Sequence, residues 1–216
     1  MGCWGELMSD YSKMTLNQYR DALASEAPTP GGGTAAAVAL SQGAALAVMV
    51  CNLTEGHDKW VDGWADAHAC RIVATPLLEL GHQLASDDAD AFDSVMSAFK
   101  MPKNTDDELH IRRSAIHKAT HDAAMVPMHT ANRAFELLSM LPALATTGNA
   151  NAVTDVGVAG LLVSAACKGA LFNVEININS LPDELVGDLR IKLDGLRLRC
   201  RDTARNVMQA VHNRMQ

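Results

Sequence analysis

Four carboxylates crowd one stretch of the chain: Asp87, Asp88, Asp90 and Asp93. On a helix, Asp87 and Asp90 share a face, as do Asp90 and Asp93. A carboxylate beside a desolvated pocket can act as a base because its pKa rises, or it can stay charged and stabilise a cation. Lys103 and Asn104 follow in the next break of the chain, and Asn149, Asn151 and Asp155 surround a later one. A fourth group offers backbone rather than side chains. Thr29-Pro30-Gly31-Gly32-Gly33-Thr34-Ala35-Ala36-Ala37 places three bare glycines directly before an Ala-rich helix, with Thr34 as the expected N-cap. N–H groups at such a helix start aim outward and suit a carboxylate, phosphate or carbonyl oxygen. The spacing is neither G-x-G-x-x-G nor G-x-x-x-x-G-K-[ST], and no strand precedes it, so no nucleotide site is read here. Each feature also has an ordinary role. The glycines can let two helices pack closely, Asp87 and Asp88 are expected to face solvent, and Asp155 can support the first turn of its helix.

These groups must be positioned by helices. Thr15-x-x-Gln18 is a capping box that opens a short helix to about Ala27, ended by Pro28 and Pro30. The glycine loop leads into a long helix to about Thr54. Residues 34–53 carry no charge, yet their many alanines make them weakly apolar, which reads as a buried central helix and not a membrane span. Residues 55–60 read as a turn. A third helix runs from about Asp62 to Phe99, kinked or split at Pro76. Thr105-x-x-Glu108 is a second capping box, opening a helix to about Leu141 that Pro127 should bend. Pro142 to Ala152 reads as a loop, with Thr154 capping a fifth helix. Residues 173–179 alternate like a strand but are assigned to that helix, since a lone strand has nothing to pair with. Ser180 is the expected cap of a last helix from Pro182 to Asn213. The fold class is therefore all-α, a single-domain bundle of about six helices over residues 14–216, with residues 1–13 as an N-terminal extension.

Bulk properties narrow the function. Of 216 residues, 48% are hydrophobic but only 4% aromatic, so Ala, Val, Leu and Met must fill the core, which suits close-packed helices. The net charge of -7 leaves no basic excess for a general nucleic-acid partner. Cys3, Cys51, Cys70, Cys167 and Cys200 form no C-x-x-C pair and read as reduced thiols of a cytoplasmic protein. No histidine spacing suggests a metal site, and no signal peptide is apparent.

Several blocks together carry a more specific signal. Pro30 to Ala37, Met49-Val50-Cys51-Asn52-Leu53-Thr54, Asp87-Asp88-Ala89-Asp90-Ala91-Phe92, Pro102-Lys103-Asn104-Thr105, Val126-Pro127 and residues 148–158 occur in this order. The pattern resembles the formiminotetrahydrofolate cyclodeaminase / methenyltetrahydrofolate cyclohydrolase family and spans nearly all of the chain after Met14. The resemblance implies an all-helical homodimer with a folate site near the subunit boundary, no metal, and no cofactor beyond the folate substrate. It looks more like the stand-alone bacterial cyclohydrolases, which interconvert 5,10-methenyl- and 10-formyl-tetrahydrofolate. Cyclodeamination of 5-formiminotetrahydrofolate is the rival reading, and a helical folate-binding or interaction protein without turnover is a third. One departure stands out: the family often has G-K-x-K-Y where this chain has Gly56-His57-Asp58-Lys59-Trp60.

The resemblance and the chemical types together nominate residues. Asp90 is the expected base or cation stabiliser, and Lys103 the proton-carrying or oxyanion-holding group. Asp155 completes the catalytic set, positioning the substrate with Asn149 and Asn151. Gly31, Gly32, Gly33 and Thr34 are expected to bind a polar end of the folate, with Asn52, Lys59 and Asn104 as further contacts.

Overall fold

The structure, a computed structural model, describes residues 10–216. Cys3 and most of the expected extension lie outside the described residues. Within them the chain forms seven α-helices: α1 (Leu16–Leu23), α2 (Gly32–Thr54), α3 (Trp64–Ala74), α4 (Leu77–Phe99), α5 (Asp106–Thr147), α6 (Val153–Ile178) and α7 (Asp183–Met215). No strand occurs among the described residues. The all-α class stands, with one helix more than about six because Pro76 splits the third instead of kinking it. Residues 58–63 form a 3-10 helix where a turn was expected. Of the extension, residues 11–13 form another, and Tyr11 is buried with its ring edge-on to Tyr19.

Both capping boxes are formed. Thr15 accepts from the Gln18 N–H and Thr105 from the Glu108 N–H, and each partner side chain reaches back to the cap. Three other start signals differ. α2 begins at Gly32 with Gly31 as its N-cap, so Thr34 lies inside the first turn. α6 is capped at Ala152 instead of Thr154, and α7 at Pro182 instead of Ser180, whose hydroxyl donates back to the Asn177 carbonyl. The largest difference is α5, which runs straight through Pro142 to Thr147. A proline inside a helix costs about 3 kcal/mol. Here Leu137, Leu138, Leu141, Leu144 and Ala145 flank it, all buried, and each leucine stabilises by about 1.5–3 kcal/mol relative to exposure. Packing outweighs the lost hydrogen bond.

α2 is the central helix. α4 runs antiparallel to it, with Gly81 against Ala37 and Ser41 and the Ser41 hydroxyl donating to the Leu78 carbonyl at 2.8 Å. α6 runs antiparallel on another side, so close that a Cβ on Gly43 would stand 2.5 Å from Val163 Cγ2. α5 lies against α4, α6 and α7, and Gly160 of α6 meets Val207 of α7. α2 and α6 are long and apolar enough to cross a membrane, yet 56% of each apolar window is buried inside the bundle, as core helices are. Four free thiols join the core in two pairs, Cys51 with Cys70 and Cys167 with Cys200.

This topology gives the bundle two ends. One holds the start of α2, the end of α6 and the α4–α5 turn. The other holds the end of α2, the end of α5, the start of α6 and the end of α7.

Candidate functional site

At its first turn α2 meets Asp88 of α4. A Cβ on Gly33 would lie 2.2 Å from Asp88 Oδ1, so only glycine lets the carboxylate reach the helix start. The Thr34 hydroxyl donates to Asp88 Oδ2 at 3.2 Å, and the Thr34 backbone N–H also bonds the carboxylate. Asp88 thus caps α2 from a different helix, in place of the side-chain cap that Gly31 lacks. Gly32 and Gly33 N–H groups take no acceptor among the described residues. Asn173 of α6 closes the third side, its Nδ2 donating to the Gly169 carbonyl at 2.9 Å and facing Gly32.

Burial pushes the Asp88 carboxyl above its ordinary value, against the two Thr34 hydrogen bonds, which pull it down. The outcome is a carboxylate that holds its proton more readily than a solvated one, beside unpaired amides at the positive end of a helix. Such a site can take a proton, stabilise a cation, and bind an oxygen at the amides. Asp88 was expected to face solvent, and the structure corrects this. The signal was present: Leu77, Gly81, Leu84 and Asp88 recur at spacings of four, three and four, so the carboxylate continues the buried stripe of α4.

Asp90 lies two residues on, about 200° around the helix, and is exposed, as is Asp93. Asp87 accepts from Gln83 Nε2 at 2.7 Å. Beyond Asp88, α4 overhangs the start of α2 for another three turns. Phe92 and Phe99 continue its inner face there, 36% and 49% exposed because α2 no longer covers them. Lys103 is exposed in the turn past this overhang, on the glycine end of the bundle. Asn104 gives its backbone N–H to Glu108 Oε2 at 2.6 Å, as part of the α5 start.

The remaining nominated residues stand at the other end of α2, about 30 Å away along its axis. The Asn149 backbone N–H donates to Thr54 Oγ1 at 3.0 Å, its Nδ2 to the Leu53 carbonyl at 2.9 Å, and its Oδ1 accepts from the Asn151 N–H at 2.9 Å. Asn52 and Asn151 are exposed nearby, with Asp155 half-buried in the first turn of α6. Lys59 sits 4.7 Å over the Trp60 ring, which also faces the Arg214 guanidinium at 5.9 Å. Arg214 in turn donates to the Gly148 carbonyl at 3.2 Å. Within one protomer the structure therefore brings Gly31, Gly32, Gly33 and Thr34 together with Asp88, with Lys103 and Asn104 beyond them. It gathers Asn52, Lys59, Asn149, Asn151 and Asp155 separately. A single pocket holding both sets is not formed by one chain. Among the described residues no group of three His, Cys, Asp or Glu could hold a metal ion.

Comparison with known proteins places this arrangement. Residues 15–191 match the family model described as formiminotransferase-cyclodeaminase. A methenyltetrahydrofolate cyclohydrolase of Methylorubrum extorquens is 40% identical over 183 residues, covering 84% of this chain and 88% of that protein. A formimidoyltransferase-cyclodeaminase of Rattus norvegicus is 32% identical over 174 residues, covering 79% of this chain but only 32% of that longer protein. Among solved structures, a formiminotetrahydrofolate cyclodeaminase from Thermotoga maritima superposes with a TM-score of 0.83 at 26% identity, covering 94% of this chain and 98% of that one. The matched stretch includes both ends of α2 and every nominated residue, and on this evidence the chain belongs to the formiminotransferase-cyclodeaminase family.

Proposed function

We propose that this protein is a methenyltetrahydrofolate cyclohydrolase, converting 5,10-methenyltetrahydrofolate and water reversibly to 10-formyltetrahydrofolate and a proton. The observation that carries the reading is the half-buried carboxylate of Asp88 against the open amides of the α2 start, in a chain that spans most of a relative bearing that name.

The substrate carbon lies between two nitrogens in a positively charged amidinium. Water must add to it, losing a proton, and one C–N bond must then break as its nitrogen gains a proton. A carboxylate facing the carbon stabilises the cation on binding and takes the proton as water adds. Asp88 suits this better than Asp90, because it is desolvated and its acidity is shifted toward working pH. The Gly32 and Gly33 amides suit the oxygen that becomes the formyl group. Lys103, carried in the α4–α5 turn on the same end of the bundle, is the amine assigned to return a proton to nitrogen.

The homodimer belongs to the same proposal. The outward face of α6 is a stripe of Val158, Leu161, Ala165, Lys168, Phe172 and Ile176, at spacings of three, four, three, four and four. Val158 and Leu161 are 47% and 60% exposed, beside Met49 of α2 at 37%. An apolar seam on a core helix suits a second copy of the chain. An isologous pairing that sets α2 antiparallel to its partner brings the Asn149 end of one protomer to the glycine end of the other. That pairing unites the two sets of nominated residues, with Asp155, Asn151 and Lys59 supplied across the boundary. The free thiols fit a cytoplasmic location.

Loss of the methenyltetrahydrofolate absorbance on adding purified protein tests the activity. Rapid loss at catalytic enzyme concentration is expected, and none would refute the reading. Release of ammonia from 5-formiminotetrahydrofolate tests the cyclodeaminase alternative, which the Thermotoga maritima match keeps in view. The shared site is tested by mixing two inactive variants, Asp88→Asn and Asp155→Asn. Random re-pairing regains about a quarter of wild-type activity if the partner completes the site, and nothing if each protomer is self-contained.

A further inference from the structure

The Gly56-His57-Asp58-Lys59-Trp60 departure has a structural partner in α7. Arg214, in the last turn of α7, reaches back to the connection between α5 and α6. Its guanidinium stands 5.9 Å from the ring centre of Trp60, the residue where the family often has tyrosine. An indole is the best aromatic partner for a cation, so the exchange favours a guanidinium at this place. The same guanidinium donates to the Gly148 carbonyl at 3.2 Å. Across that peptide bond, the Asn149 N–H donates to Thr54 Oγ1 at 3.0 Å. One planar peptide unit is thus held at both of its polar atoms, by α2 on one side and α7 on the other. Its surroundings are close. A Cβ on Gly63 would lie 2.3 Å from the Thr147 carbonyl oxygen, and one on Gly148 would lie 2.5 Å from that of Leu144. Gly148 is also the C-cap of α5, where a cation meets the negative end of the helix.

We propose that Arg214, seated on Trp60, is a positioning residue for the reaction; the inference rests on the cyclohydrolase reading and deepens it. Arg214 need not touch the substrate. It fixes the rotation of the Gly148–Asn149 peptide, and the chain that follows takes its direction from there. Asn149 Oδ1 accepts from the Asn151 N–H at 2.9 Å and so caps the 3-10 turn Ala150–Ala152. That turn leads directly into the first turn of α6, which carries Asp155. Asn149, Asn151 and Asp155 therefore share one anchor. Without Arg214 the peptide unit keeps its N–H bond to Thr54 and can turn about it, moving both asparagines. Trp60 acts one step earlier. The last turn of a helix ordinarily frays, and the ring holds the guanidinium beside the carbonyl. Arg214 lies beyond residues 15–191, the stretch that matches the family model, so the clamp is not part of that shared pattern.

Steady-state kinetics with methenyltetrahydrofolate tests this. A loss of folded protein lowers the apparent kcat and leaves KM alone, whereas displaced binding groups raise KM. Arg214→Ala is expected to raise KM about tenfold with kcat within about threefold of wild type, and Trp60→Ala to do the same. Because the two act through one contact, the double variant is expected to be no worse than either single one. Arg205→Ala, at an exposed position half a helical turn out of phase on α7, leaves KM unchanged. A KM for Arg214→Ala within about threefold of wild type would overturn the inference, as would an equal rise in Arg205→Ala or rises that multiply to about a hundredfold in the double variant. Hydrogen exchange of the Asn149 amide reads the clamp with no substrate present. Arg214→Ala is expected to speed that exchange about tenfold or more, while amides in the middle of α6 keep their rates. The same result in a protein that hydrolyses no folate would remove the cyclohydrolase reading and leave the clamp standing. An unchanged Asn149 rate would remove the clamp whatever the activity.

Discussion

At its first turn α2 meets a carboxylate from α4, and at its last turn it meets an asparagine from the α5–α6 connection. The residue types are alike: glycine, threonine and a short polar side chain at each end. Their hydrogen bonding is opposite. Thr54 is fully buried, donates to the Val50 carbonyl and accepts from the Asn149 N–H, and Asn149 uses its amide and its carbonyl oxygen on backbone groups. Glu55 pairs with Arg71 at 2.7 Å and Thr147 donates to Asp66 at 2.8 Å. That end is tied. At the glycine end two amides stay open and a carboxylate is half-buried with only Thr34 to offset its desolvation. A satisfied network fixes a loop, whereas an under-satisfied one is where chemistry is paid for in stability.

The contrast can be broken by substitution. Gly33→Ala places a methyl group where Asp88 Oδ1 now lies, so the carboxylate must leave the helix start. Turnover is expected to fall about a hundredfold, with overpacking costing about 1–3 kcal/mol in a denaturant titration. Activity near wild type would show that Asp88 need not sit there. Thr54→Val probes the tied end. It leaves the Asn149 N–H without its acceptor and should cost about 1–3 kcal/mol of stability, while the folded enzyme keeps turnover within a few-fold. A hundredfold loss of turnover with little loss of stability would reverse the roles of the two ends.

The smallest effect concerns pH. The folded-state pKa of Asp88 is raised, so the folded protein holds that proton more tightly than the unfolded chain does. The stability linked to this group is present below the unfolded carboxylate value of about 3.9 and is lost as pH rises through the folded value. Asp88→Asn removes the charge, so its melting temperature should equal or exceed the wild type at pH 8. The difference should shrink toward pH 4. A variant less stable than wild type at pH 8 would mean the half-buried charge is held by more than Thr34.

Much of this was legible in the sequence. Glycines before Ala-rich residues 34–37 announced a helix start, both capping boxes formed as read, and the strand-like run at 173–178 is helix. Pro142 misled because a proline's local cost is visible in sequence whereas the burial of Leu138, Leu141 and Leu144 around it is not. Asp88 was overlooked for a related reason. Reading the aspartates against each other pairs Asp87 with Asp90 and Asp90 with Asp93. Reading them against the apolar stripe puts Asp88 in line with Leu77 and Leu84. The separation of Gly32 from Asn149 was hidden altogether, because the sequence does not say that both contact the same helix at opposite ends.

The central claim is that the reacting carboxylate is the half-buried one on the stripe of α4 and not its exposed neighbour. Side-by-side assays of methenyltetrahydrofolate absorbance with Asp88→Asn and Asp90→Asn test it most directly. The account predicts a loss of about a thousandfold for Asp88→Asn, of the size expected for a general base, and a change within tenfold for Asp90→Asn. The opposite order, with Asp88→Asn active and Asp90→Asn silent, would contradict it.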